Sequence, residues 1–381
     1  MVASTQSWSK ACPNTPLAIV AQSGIPGLTE GVPGVGKSSV VFQWAQVLGR
    51  DLMYLIGSTH APEDFSGIPF VSECKKFFMQ TPPMWAARLA RPGAILFIDE
   101  LTTVPPSVRA ALLSMLTERR LGDLQIHPDT MILSACNPSH MAPNASPLER
   151  SMANRFFHWG WEHDKKAWDD GMLSEDDNFQ PRWIPVLPDD WRRFKSQIGA
   201  SIVAYTNKNS GELINVPKSD EEMAYPTPRT WKYLRDCLAA ATAVNAPKPI
   251  MSKIAYGLVG KQTGGNFIRF VEQQDLVDPE TAIKDPSVFK HDKKRADLTV
   301  TLLTSVVTCI KREYSQERMD SAIDLFCKNI GQDTADLVFT QLRHLVEARP
   351  EGTALSKAAI ASITEFGKRI PDHLKAKKKA K

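Results

Sequence analysis

Short apolar runs alternate with amphipathic stretches along the first part of the chain. PLAIVAQSG reads as a helix ending at Gly24. A short buried strand, PGLTEG, follows it, and Pro26 fits only the first position of such a strand. SSVVFQWAQVLGR predicts a helix with Gly49 near its C-terminal end. AILFI, inside GAILFIDEL (93–101), is a continuous apolar run suited to a central parallel strand. TMILSAC (130–136) is a third strand candidate, and RFFHW predicts another that begins near Arg155. In SGIPFVSECKKFFMQTPP, two apolar stretches flank a polar centre from Ser72 to Lys76, the pattern of a β-hairpin. Beyond RFFHW the period turns helical. KKAWDDGML, DWRRFKSQIGASIVAYTN, a helix opened by Pro228, and IMSKIAYGLVGKQTGGNFIRFVEQQ come first. From about residue 290 RADLTVTLLTSVVTCIKREY, SAIDLFCKNI, ADLVFTQLRHLVEA and ALSKAAIASITEFGKRI continue the pattern.

Between the first strand and the first long helix lies GVPGVGKSSV, residues 31–40. Gly31, Gly36, Lys37 and Ser38 meet the pattern G-x-x-x-x-G-K-[ST]. Glycines let such a loop curl so that successive N–H groups form a nest for phosphate oxygens. The helix that follows adds the positive end of its dipole. Lys37 would reach the β- and γ-phosphates, and Ser38 would bind magnesium. The nucleotide-binding stretch comprises Gly31, Val32, Pro33, Gly34, Val35, Gly36, Lys37, Ser38 and Ser39. Such a loop needs a carboxylate on a neighbouring strand. Asp99 falls where AILFI would end, at the edge where parallel α/β sheets bind ligands. Asp99 would orient the water shell of Mg²⁺, and Glu100 would polarise the attacking water. Asn137, after TMILSAC, would sense the γ-phosphate from a strand end; taken alone, Asn137-Pro138 is an ordinary turn start.

The series GVPGVGKS, FIDE, SACNP, ANRF and PTPR resembles an AAA+ ATPase of the MoxR-like branch. LIGSTHAPEDFSGIP and ERRLGDLQIHPDTMILSACNP resemble further stretches of that branch. The motifs cover residues 31–229, and the loop reads GVPG where GPPG is more usual. The resemblance implies an α/β fold: a P-loop αβα sandwich with a parallel sheet, a helical lid and, here, a helical C-terminal extension. The expected division is an AAA+ nucleotide-binding domain at 1–165 with a hairpin insert at about 66–83, a linker and lid at 166–285, and the extension at 286–381 with its basic tail. The helical stretches from DWRRF to FVEQQ would make up the lid. The resemblance also implies ATP and Mg²⁺ as cofactors and a homo-oligomeric ring, expected as a hexamer. Asn137 falls at its sensor-1 position. Arg155 matches its arginine finger, which reaches the neighbouring subunit's ATP, with Arg150 as runner-up. Arg229 matches the sensor-2 arginine. Independently, Thr227 can cap a helix whose first turn holds Pro228 and Arg229, where a cation opposes the dipole unless an anion faces it. The implied work is chaperone-like remodelling of a protein client, with a partner bearing a von Willebrand factor A domain. Lys75, Lys76, Phe77 and Phe78 of the hairpin would touch the client in the ring's pore, or the hairpin packs on its own domain. The rival reading is a nucleic-acid motor or loader of helicase type with the same ATP site.

Composition narrows these readings. With 381 residues, 43% hydrophobic and 23% charged, the chain has room for two or three domains. Its net charge is +4, but the last seven residues, KAKKKAK, hold five lysines. The remainder is close to neutral, which weighs against a nucleic-acid motor. Six scattered cysteines with no CxxC pair suggest neither a zinc site nor a disulfide framework. No run approaches the roughly 20 apolar residues that span a bilayer. The expectation is a cytoplasmic protein without membrane contact. Five tryptophans in residues 159–191 read as domain-joint packing. His158 and His163 read as packing histidines rather than a metal pair.

Overall fold

The computed structural model describes residues 8–142, 145–174, 182–218, 222–273, 277–289, 296–328, 335–350 and 352–368. By its internal contacts the chain divides into two units, residues 1–193 with 212–268 and residues 194–211 with 269–381.

In the first unit, α1 (Thr15–Gln22) leads to β1 (Gly27–Glu30), and α2 (Lys37–Leu48) to β2 (Asp51–Ile56). α3 (Glu63–Ser66) precedes an antiparallel hairpin of β3 (Ile68–Val71) and β4 (Phe78–Thr81). Next come β5 (Ala94–Asp99), α4 (Pro106–Glu118), a small hairpin of β6 (Arg120–Leu121) and β7 (Leu124–Gln125), and β8 (Met131–Cys136). α5 (Arg150–Ala153), β9 (Phe157–Gly160) and α6 (Lys165–Met172) complete the series. Five strands form one sheet in the order β2-β5-β8-β1-β9, every pair parallel.

β5 is apolar from Ala94 to Ile98 because both of its faces are covered. Leu96 and Ile98 pack with Val108, Leu112 and Met115 of α4 on one face. On the other, the Phe97 ring lies 5.7 Å from Tyr54, which lies 5.8 Å from Phe42 of α2. Gly27, level with Leu133 on that same face, lies so close to α1 that an added Cβ would sit 2.5 Å from Leu17 Cδ1. The result is an αβα sandwich with parallel strand ends aligned along one edge, and helices dominate the rest of the chain.

The three helical stretches expected to share one lid are divided by their contacts. α7 (Lys195–Lys208) belongs to the second unit, whereas α8 (Pro228–Ala243) and α9 (Lys248–Val259) belong to the first. α8 packs on α1, and α9 on α1 and β9. Thr227 opens α8 with a reciprocal capping box: its side chain accepts from Thr230 N, and Thr230 Oγ1 accepts from Thr227 N. The helical pattern after residue 250 breaks at Gly260, and α10 (Lys261–Glu272) follows.

The second unit also holds α11 (Pro279–Lys284), α12 (Ala296–Arg312), α13 (Gln316–Lys328), α14 (Ala335–Glu347) and α15 (Lys357–Lys368). Leu303, Val306, Ile310, Ile323, Phe326 and Leu345 form the centre of its core. Arg312 and Arg318 both pair with Glu280, which ties α12 and α13 to α11. Among the described residues no helix is long and apolar enough to cross a membrane. The lysine tail lies outside the described residues.

His158 on β9 donates from Nε2 to the Ala153 carbonyl at 2.8 Å, a packing role. Burial pushes its pKa down to about 4. Between that value and the unfolded value of about 6.5 the unfolded chain binds the extra proton, so stability falls as pH drops through this window. His158→Gln should make unfolding free energy less sensitive to acid. Urea denaturation at pH 7 and pH 5 should show the acid loss smaller by about 2 kcal/mol than in the wild type.

Candidate nucleotide site

The loop at 31–36 joins the end of β1 to the start of α2. Gly34 and Gly36 hold φ of +81° and +86°, which side-chain-bearing residues rarely adopt. Gly31 faces a second constraint: a Cβ there would lie 2.7 Å from Trp161 Cβ. Lys37, the first residue of α2, is buried and curls back over the loop. Its Nζ donates to Gly31 O at 2.5 Å, Val32 O at 3.2 Å and Asn137 Oδ1 at 2.8 Å. Burial pushes its pKa down, and the Asp99 charge partly opposes that. All three acceptors are neutral. A phosphate oxygen is charged, and accepts more strongly from an ammonium.

β5 brings Asp99 to the same edge. Asp99 Oδ2 accepts from Ser38 Oγ at 3.4 Å and from Tyr54 OH at 3.1 Å, and Oδ1 accepts from Glu100 N at 2.8 Å. A hydroxyl and a carboxylate are the hard oxygen donors that suit Mg²⁺, which binds through few protein ligands and keeps several waters. Glu100 lies one residue beyond β5 with φ +58°. Its Oε2 accepts from Ser58 Oγ at 3.0 Å. Asn137 arrives from β8, whose Cys136 is level with Glu30 of β1.

Beside the loop is a cavity of about 660 Å³ whose walls include Val35, Ser39, Trp44, Trp161, Asp164 and Trp168. Trp161 joins this cavity to the loop: its Nε1 donates to Val35 O at 3.2 Å. Asn14 fixes the chain just beyond Trp161. Its Oδ1 accepts from Glu162 N and Trp159 Nε1, and its Nδ2 donates to Glu162 O. The volume suits a small organic ligand. Its position next to the glycine loop suits a nucleoside if the loop holds phosphates. Sequence reasoning missed Tyr54, Ser58 and Asn14, and read Trp161 as joint packing. The signal for Trp161 was its place just past RFFHW, at the ligand edge of a parallel strand.

The residues from Gly31 to Ser39, with Asp99, Glu100 and Asn137, thus come together. Arg155 and Arg229 lie elsewhere. Arg155 precedes β9, whose first residue, Phe157, is level with Gly27 at the edge opposite the loop. Its Nε donates to Thr117 Oγ1 at 2.7 Å, and its NH1 to the Ser151 carbonyl. Arg229, in the first turn of α8, donates to Asn154 Oδ1 at 3.3 Å. The two guanidiniums are close enough to interact: after burial, the Arg229 charge lowers the Arg155 pKa. Among the described residues neither has a carboxylate partner. Arg150 donates to the Pro217 carbonyl.

Residues 28–156 match the family model of the AAA domain, dynein-related subfamily. A crystal structure of a proposed ATPase from Cytophaga hutchinsonii is similar at 17% identity and a TM-score of 0.44, over 67% of this chain and 87% of that one. Residues 28–156 are thus similar to an AAA domain.

Trp161→Phe would keep an aromatic ring in the cavity wall, smaller than the indole, and lose the N–H to Val35. One hydrogen bond of about 1 kcal/mol shapes the loop here. Calorimetric titration with ADP should show binding weakened by about fivefold, with the thermal midpoint little changed.

Proposed function

We propose that the chain hydrolyses Mg²⁺·ATP in a MoxR-like ring, each site being completed by the next subunit, and that the ring remodels a protein client. The observation that carries the ATPase reading is the convergence of Lys37, Ser38, Asp99, Glu100 and Asn137 at the mouth of one glycine loop. The loop's N–H groups and Lys37 would bind the phosphates, and the cavity beside Trp161 the nucleoside. Ser38 and Asp99 would hold Mg²⁺, which when bound offsets charge on the β- and γ-phosphates. Glu100 would take the proton of the attacking water, and Asn137 would hold that water in line.

Supporting the shared site, Arg155 and Arg229 stand together at the far edge of the sheet without a carboxylate partner among the described residues. Two such cations are suited to the phosphates of a neighbour. Arg229 would then act in trans with Arg155. Supporting a client contact, Phe77 and Phe78 on the hairpin are 67% and 79% exposed. Such aromatic exposure marks interaction surfaces. The von Willebrand factor A domain partner and the hexameric count rest on the MoxR-like resemblance.

Glu100→Gln should bind ATP and lose turnover. Arg155→Ala and Arg229→Ala should each bind ATP and lose about 10³-fold or more in rate. Mixed with Lys37→Ala, either arginine variant should regain activity, since an intact loop then meets intact arginines. A steady-state phosphate-release assay on verified co-assemblies reads this. Wild-type turnover by Glu100→Gln refutes the catalytic assignment. Recovery with Arg155→Ala but not with Arg229→Ala places Arg229 on its own subunit's nucleotide.

A further inference from the structure

Tyr54 is outside the phosphate loop and the two acidic positions, yet its hydroxyl ends on the carboxylate of Asp99. Its ring is held between Phe42 of α2 and Phe97 of β5. In the parallel register Tyr54 is level with Phe97, two residues before Asp99. Residues two apart share a face, so a tyrosine here reaches forward to Asp99. A phenylalanine would fill the same space between the same rings. The hydroxyl is what packing leaves unexplained.

Resting on the nucleotide-site reading above, we infer that Tyr54 is a positioning residue for the divalent cation, setting which oxygen of Asp99 turns towards the ion's water shell. An ionised carboxylate offers about four lone-pair positions. Glu100 N fills one on Oδ1, and Ser38 and Tyr54 fill both on Oδ2. The position left is on Oδ1. Of the holds that come from other elements, Tyr54 at 3.1 Å is closer than Ser38 at 3.4 Å. The contact from Glu100 N is between chain neighbours and cannot orient the group against α2. Ser38 must also turn lone pairs towards the ion, which its O–H can do while donating to Asp99. Tyr54 is thus the fixed donor of the group. Hydrogen-bond partners of the groups at a metal site commonly change metal affinity by 10- to 100-fold.

Tyr54→Phe tests this. ADP is titrated calorimetrically in excess Mg²⁺ and in EDTA, and Mn²⁺ binding to the ADP complex is followed by electron paramagnetic resonance. The variant should bind ADP in EDTA as the wild type does. It should lose about tenfold of the tightening that Mg²⁺ gives, and bind Mn²⁺ about tenfold more weakly. Phe42→Leu disturbs the ring contact and keeps the hydroxyl, so its Mn²⁺ affinity should match the wild type. If Tyr54→Phe lowers the thermal midpoint, the Asp99→Asn background decides. A positioning effect vanishes there, whereas a purely structural loss persists and overturns the inference. Equal Mn²⁺ affinity in Tyr54→Phe and wild type also overturns it. A wild type that binds no ADP in either condition overturns the nucleotide reading beneath it.

Discussion

Lys37 places a buried positive charge at the centre of the sheet's functional edge, and the surrounding fold is arranged to make that tolerable. Removing an ammonium from water is costly unless its donors are met. Here three oxygens meet them, two from the loop and one from Asn137. The loop can turn its carbonyls inward only because glycines take the left-handed positions. Asn137 is available only because β8 pairs with β1 in a register that ends both strands together, a pairing that runs on into the loop through Gly31 N to Cys136 O at 3.2 Å. Sheet register, loop curvature and the lysine's partners are one constraint seen at three scales.

Charged groups also gather at both edges of this sheet, and at the strand starts Asp51 and Asp129 are already paired with Arg88 and Arg50. At the strand ends stand the carboxylates of Glu30, Asp99 and Glu100, with the buried ammonium of Lys37. At the strand starts stand Arg155 and Arg229, with Arg119 nearby around Tyr233. Arg119 is spent on structure, donating to the carbonyls of Thr130 and Gly24. The other two are held by neutral oxygens, from Thr117, Ser151 and Asn154. Like charges gathered without a counter-ion are unfavourable in isolation. An anion that met both guanidiniums would relieve that cost.

What could be read from the sequence divides along a physical line. The loop, Asp99 and Asn137 were legible because each is fixed by local order: a glycine spacing, or a polar residue at the end of an apolar run. The parallel central strand at AILFI and the hairpin at 68–81 were legible for the same reason. Tyr54, Ser58 and Asn14 were not, because each acts through a contact made only when distant strands align. Tyr54 looks like one more residue of an edge strand until its register with Phe97 is known. The helical stretches after residue 190 were legible as helices but not by neighbour. Amphipathic period tells which face is buried, and not against what. So α7 falls with the C-terminal helices and α8 with α1. The cap at Thr227 was local and readable, whereas the meeting of Arg229 with Asn154 depends on how α8 packs.

Glu100 joins the two levels. Its left-handed backbone is unusual for a residue with a side chain, and such a conformation costs of order 1–3 kcal/mol and persists only where the surroundings over-determine it. They do so here. Glu100 N donates to Asp99 Oδ1, while Glu100 O accepts from both the backbone N and the hydroxyl of Thr103. Its carboxylate is held in turn by Ser58, on the segment that leaves β2 and continues into α3 and the hairpin. Because the backbone is pinned from both sides, the side-chain torsions are the freedom left to the carboxylate. The exposed hydrogen bond from Ser58 is what directs those torsions, so the orientation of the carboxylate depends on a contact from β2's far end rather than on β5 alone.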